Sequence, residues 1–200
     1  MRKNSVYSVP PGYAMEEAYL AHLKERTNRT LEEWIRIVKK SGPAAEKERM
    51  AWLKSEHGFT TNYAMWVAKR AGGGGGVENY DPDGMVEAMF SGKKAGLRPI
   101  YDHLLGLALG LGKDVKVCPA KTIVPFYRHH VFAQVKPSTN TRIDFGFALK
   151  DRKPTGKLIS TGGLEKGDRI THRIPISILS EIDKEVKNWL TVSYEMDAQD

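Results

Sequence analysis

Two hydrophobic rhythms run along this chain, and one gives way to the other just past its midpoint. Over residues 14–71 the apolar positions recur every three or four residues, the spacing of amphipathic helices. Tyr19, Leu20 and Leu23 stand among charges in the first such stretch, residues 14–26. Thr30-Leu31-Glu32-Glu33 then has the form of a capping box: the Thr30 hydroxyl accepts from the third amide of the helix, and the Glu33 carboxylate accepts from the amide of Thr30. Leu31, Trp34, Ile35 and Val38 mark the buried face of the helix that follows, and Ser41-Gly42-Pro43 ends it. Residues 44–57 predict a third helix on Met50, Trp52 and Leu53, and residues 62–71 a fourth on Tyr63, Trp66 and Val67. Because each indole buries a large apolar area, Trp34, Trp52 and Trp66 are expected to meet in one small core.

Five consecutive glycines, Gly72 to Gly76, follow. With no side chains to pack and no preceding strand or Gly-Lys-Ser/Thr ending, they read as a flexible tether and not as a phosphate loop. Asp81-Pro82-Asp83 starts a short helix to Phe90, and Arg98 to Leu111 is a longer, strongly apolar one. Past Gly112-Lys113-Asp114 the period falls to two. Residues 115–118 form a short strand-like run, residues 121–127 and 131–136 can pair around Arg128-His129-His130, and residues 142–149 put Ile143, Phe145, Phe147 and Leu149 on one face. Residues 158–160 and 171–174 are expected as edge strands. A last helix over residues 176–195 would turn Ile178, Leu179, Ile182, Val186, Trp189 and Leu190 inward. The fold class is therefore α+β: a small N-terminal helical bundle over residues 14–71, a Gly-rich linker at 72–79, and a C-terminal antiparallel sheet packed against helices at 80–198.

Candidate chemistry lies in both halves. Gly58 suits the left-handed position that stops a helix, and Thr60, Thr61 or Asn62 can cap the next, so residues 52–64 are helix-turn-helix-like, although Lys54 stands where a small residue normally lets the two helices cross. If such a unit meets nucleic acid, Thr61 and Asn62 would face base edges and Lys69 and Arg70 phosphates. In the second half, Arg142 and Asp144 share the sheet face opposite Ile143 and Phe145. They pair structurally or, with Lys121, Tyr127, His172 and Arg173, form an anion pocket suited to phosphate or carboxylate. His172 is the one base in that set, with no nucleophile beside it in sequence.

Charge sharpens the choice. The net charge is +7, and residues 121–173 alone hold 11 basic and 4 acidic groups, whereas residues 174–200 hold 2 and 6. Such a field favours anionic partners. The first expectation is a non-catalytic binding protein for nucleic acid or another polyanion. The alternatives are a small anionic-ligand-binding domain or enzyme using the Arg/Asp/His cluster, and a protein-interaction adaptor. A broad basic stripe would favour the polyanion; a concave cluster would favour the small ligand.

Other classes lose support. The one cysteine, Cys118, cannot form an intramolecular disulfide or a cysteine-rich zinc site, and adjacent His129 and His130 would point apart on a strand, so neither metal nor cofactor is expected. The longest apolar stretch, residues 100–111, is broken by Asp102 and His103 and is too short to span a bilayer, so no membrane partner is expected. Arg2 and Lys3 are followed by Pro10-Pro11-Gly12 and not by an apolar leader, which predicts a cytoplasmic protein.

Thr30-Leu31-Glu32-Glu33-Trp34, Ser41-Gly42-Pro43, Trp52-Leu53-Lys54, Glu56-His57-Gly58 and Asn62-Tyr63-Ala64 in the first half, with Lys121-Thr122, Phe132-Ala133, Thr141-Arg142-Ile143-Asp144-Phe145-Gly146, Gly162-Gly163, Thr171-His172-Arg173 and Trp189-Leu190 in the second, form a combination spanning most of residues 15–195. In these residues the chain resembles a bacterial two-domain family known only through domains of unknown function. The resemblance implies the two-domain organisation and brings no catalytic residue or ligand with it.

Overall fold

The computed structural model describes residues 5–198. By its contacts the chain divides into two units, residues 9–80, and residues 81–198 joined by residues 5–8.

The smaller unit is helical: α1 (Pro11–Ala21), α2 (Leu23–Thr27), α3 (Leu31–Ser41), α4 (Glu46–His57) and α5 (Thr61–Ala71). The first amphipathic stretch is two helices, broken at His22 without a proline or glycine, and Leu23 at the break is fully buried. The capping box is formed in both directions, with Thr30 N–H donating to Glu33 Oε2 at 2.7 Å and Glu33 N–H to Thr30 Oγ1 at 3.3 Å. Gly58, at φ +66°, ends α4 in the left-handed region where a Cβ is costly. Thr60 holds the N-cap position of α5, but no side chain there accepts an amide hydrogen bond.

The core of this unit gathers Leu23, Trp34, Val38, Leu53, Phe59, Ala64, Val67, Ala68 and Ala71, with Trp52 packed against it. Two of the three expected indoles thus meet. Trp66, one position before Val67 and so about 100° off the packed face of α5, is half-buried and lies beneath Lys69, whose Nζ is 5.5 Å from the ring centroid. The glycine stretch after α5 is hydrogen-bonded within this unit: Gly72 N–H donates to Ala68 O at 3.2 Å, Gly74 N–H to Lys69 O at 3.0 Å, and Gly76 N–H to the Glu16 carboxylate at 3.1 Å.

The larger unit contains α6 (Pro82–Met89), α7 (Arg98–Leu109), six strands and α8 (Lys184–Asp197). Asp81 accepts from Gly84 N–H at 3.0 Å and so starts α6 as its sequence predicts. The strands are β1 (Lys116–Val117), β2 (Val124–Tyr127), β3 (Val131–Pro137), β4 (Ile143–Phe147), β5 (Ile159–Ser160) and β6 (His172–Ile176). They form one antiparallel sheet in the order β1-β2-β3-β4-β6-β5. One face carries Val124, Phe126, Ala133, Val135, Phe145, Phe147, Ile174 and Ile176, all buried in a core shared with α7 and α8.

Two elements differ from what the sequence predicts. Residues 171–174 do not form an edge strand: β6 lies between β4 and β5, because Ile174 and Ile176 continue the buried face opposite Phe145 and Ile143. The last helix starts at Lys184, where Asp183 Oδ1 accepts from Glu185 N–H at 3.0 Å and Val186 N–H at 3.2 Å. Ile178 and Leu179 therefore precede the helix and stay exposed, while Ile182, Val186 and Leu190 are buried. Residues 5–8 complete this unit. Ser8 N–H donates to Val117 O at 2.8 Å, and the buried Tyr7 hydroxyl lies 2.9 Å from that of Tyr101.

Candidate functional site

Alternation that buries Phe145 and Ile143 turns Asp144 and Gly146 to the opposite face, and the register carries this across the sheet. Gln134, Gly146 and Arg173 form one row over β3, β4 and β6, and Lys136, Asp144 and Pro175 form the next. The segment 168–170 rises over this open face. A Cβ on Gly146 would lie 2.6 Å from Ile170 Cγ2 and 3.2 Å from Gln134 Cγ, so the missing side chain at residue 146 is what lets Ile170 lie close over the sheet. The result is a groove of about 730 Å³ whose polar lining includes Tyr127, Gln134, Lys136, Asp144, Arg169 and Arg173.

Its charged floor is built around Asp144. Arg173 Nη1 donates to Asp144 Oδ1 at 2.7 Å, and Ser138 Oγ donates to Oδ2 at 2.6 Å. Arg142 Nε lies 3.1 Å from Oδ1 but at an angle that makes no hydrogen bond, so its attraction is purely coulombic. Two guanidinium groups thus share one carboxylate, and Asp168 is a second carboxylate in the lining. Arg169 is placed by a second cluster at one end. Its Nε donates to Val131 O at 3.2 Å and its Nη2 to Asp197 Oδ1, while the other oxygen of that buried carboxylate accepts from His129 N–H at 2.8 Å and His130 N–H at 2.9 Å. One carboxylate near the end of α8 therefore fixes both the β2–β3 turn and Arg169.

The sequence-derived anion set is partly assembled. Arg142, Asp144 and Arg173 converge, and Tyr127 lines the same groove, its hydroxyl pKa raised by burial. His172 does not join them. It sits on the core face opposite Phe147, 3% exposed, with Nδ1 2.9 Å from Thr171 Oγ1, because neighbouring residues of a strand point to opposite faces. Lys121 is exposed in the connection before β2, outside the groove lining. Sequence reasoning missed Gln134, Lys136 and Arg169. Lys136 carried a signal, since it alternates with Val135; Arg169 lies in an irregular loop that carried none. Cys118 is buried, and burial pushes its thiol up to about 11, away from the reactive range.

The residues read as nucleic-acid contacts are dispersed in their uses. Thr61 is exposed at the start of α5, and Asn62 Nδ2 donates to the Tyr19 hydroxyl at 2.8 Å. Lys69 covers Trp66. Arg70 is turned inward: Nε donates to Glu16 Oε1 at 2.5 Å and Nη1 to Glu78, so its charge is already matched. Among the described residues no group of three or more His, Cys, Asp or Glu side chains is placed to hold a metal, and no helix is long and apolar enough to cross a membrane.

No curated protein and no solved structure matches the chain. Two family models do. Residues 16–72, which carry the five helices of the smaller unit from within α1 onward, match a Domain of unknown function (DUF4287). The model of a second, a Domain of unknown function (DUF5655), spans residues 86–197, more than half of the chain and the whole sheet with its groove; the chain belongs to that family.

Proposed function

We propose that the protein binds a small anionic ligand on the open face of its sheet, without catalysing a reaction on it. The observation that carries this reading is the convergence of Lys136, Arg169 and Arg173, three cations against the two carboxylates Asp144 and Asp168, on one concavity of about 730 Å³. A concave basic cluster suits a compact anion better than an extended polyanion, which is best met by a stripe. Guanidinium groups such as Arg173 present paired N–H donors that match a phosphate or carboxylate. Binding and not chemistry is favoured by the lining, which includes neither histidine nor cysteine, and by Asp144, whose oxygens are already engaged by Arg173 and Ser138.

The test is calorimetry of the full chain against inorganic phosphate, a dicarboxylate, a mononucleotide and a short single-stranded DNA. At least one of the small anions is expected to bind. Arg173→Ala removes a charge-assisted hydrogen bond worth about 1.5–3 kcal/mol, or roughly 10- to 100-fold in affinity. Loss of stability in that variant with ligand affinity unchanged would instead make Arg173 a structural partner of Asp144. Tight, strongly salt-dependent binding of the DNA alone would favour the polyanion reading, since backbone contacts release counterions.

A further inference from the structure

The helical unit holds a concavity of its own. It has a volume of about 470 Å³ and is walled on one side by Arg26, Asn28 and Arg29 and on the other by His57, Phe59 and Thr60. Each wall turns on a left-handed residue, Asn28 at φ +56° and Gly58 at φ +66°. Both walls are fastened to the core beneath. Trp34 Nε1 donates to Thr27 Oγ1 at 2.8 Å, and the His57 ring packs against the indoles of Trp34 and Trp52 with centroids 5.0 and 4.4 Å apart. The shape of the concavity therefore rests on packed aromatic rings.

Its charge is one-sided. The lining includes two guanidinium groups and an imidazole but no carboxylate. Arg26 and Arg29 are exposed, and among the described residues neither is paired with an acid; Arg29 makes a contact with the Trp34 ring, its Cζ 5.7 Å from the centroid. Acids close in sequence are used elsewhere, Glu25 on His22 at 3.0 Å and Glu33 in the capping box. Unneutralised cations around one concavity raise the local positive potential, and guanidinium donors match phosphoryl oxygens in geometry. The donors also come from three separate segments: Arg26 on α2, Arg29 in the α2–α3 connection and His57 at the end of α4. That arrangement suits a tetrahedral group with three free oxygens better than a planar carboxylate with two.

We propose that this groove is a phosphoryl-binding site, with Arg26, Arg29 and His57 as its ligand-contacting side chains. The phosphoryl group is either a free phosphate monoester or part of a single-stranded nucleic acid, because the contacting oxygens are the same. The site is separate from the sheet groove, so each can fail without the other.

The experiment is amide-resolved NMR of the full-length chain titrated with inorganic phosphate, a 5′-mononucleotide and a short single-stranded oligonucleotide. All three are expected to move the amides of residues 26–30 and 57–61, whereas ligands of the sheet groove move those around 134–146 and 173. An oligonucleotide affinity about tenfold or more above that of the mononucleotide identifies nucleic acid as the source; equal affinities identify the monoester. R26A/R29A is expected to weaken binding about tenfold or more, while K39A/K40A, which removes the same charge from exposed positions on α3, leaves it unchanged. Equal weakening by the two variants, or no movement of residues 26–30 and 57–61 in the native chain, overturns the proposal. Should R26A/R29A fold poorly, the shift map of the native chain decides alone.

Discussion

Glu16 is 1% exposed on α1, and Arg70 at the far end of the same unit donates to it at 2.5 Å. Its other oxygen, Oε2, is buried and has no hydrogen-bond partner. A carboxylate so placed depends on its one cation, because removing one member of a buried pair leaves the other charge without compensation. Arg70→Ala is therefore expected to lower the unfolding free energy by about 3 kcal/mol, read from chemical denaturation, and to leave anion binding at the sheet groove unchanged. A variant as stable as the native chain that had lost nucleic-acid binding would return Arg70 to the role its sequence position suggested. That position was legible only in part. A basic pair ending an amphipathic helix is visible in the sequence, but Glu16 lies 54 residues earlier and nothing local links the two.

At the scale of elements, legibility follows the range of the cause. The capping box of α3 was readable because its donors and acceptors lie three residues apart. It also makes a direct prediction: Thr30→Ala should cost about 1 kcal/mol of stability, measured by thermal or chemical unfolding, since the Glu33 amide loses its acceptor. The open face of β4 was readable too, because alternation fixes Asp144 opposite Phe145. The inward start of the last helix was not, because Ile178 and Leu179 match helical spacing, whereas the competing signal, Asp183 accepting two amides, is a single residue. β6 was misplaced at an edge for a different reason. Its partners are β4 and β5, and only the register shows that Ile174 faces Phe145. Arg169 depends on a contact with Asp197, a residue of another element altogether, and has no periodicity of its own.

At the scale of the whole molecule, the change of hydrophobic rhythm past Gly112 does not mark the boundary between the two units, since α6 and α7 keep helical spacing and belong with the sheet. Residues 5–8 lie with the sheet, the five-helix unit occupies residues 9–80, and the sheet unit resumes at residue 81. The smaller unit is thus inserted in the larger. The N-terminal strip was invisible to pattern reading because it is too short to show a period; its case rests on one buried ring, Tyr7, and one backbone bond from Ser8 to Val117. A consequence follows for any cut in the glycine stretch. In the intact chain Tyr7 is presented to its cavity at the high effective concentration of a tethered group. After cleavage between Gly72 and Gly76 the same contact becomes a meeting of two molecules, governed by mass action. The larger fragment should then melt about 5 °C or more below its temperature in the uncut chain, by an amount that grows on dilution, because losing one buried tyrosine costs it about 1–2 kcal/mol. Calorimetry of the nicked protein over a dilution series measures this, and a melting temperature equal to that of the uncut chain would show that the sheet unit is whole without its first strip. Severing one peptide bond in a glycine run would thereby turn a unimolecular fold into a concentration-dependent assembly.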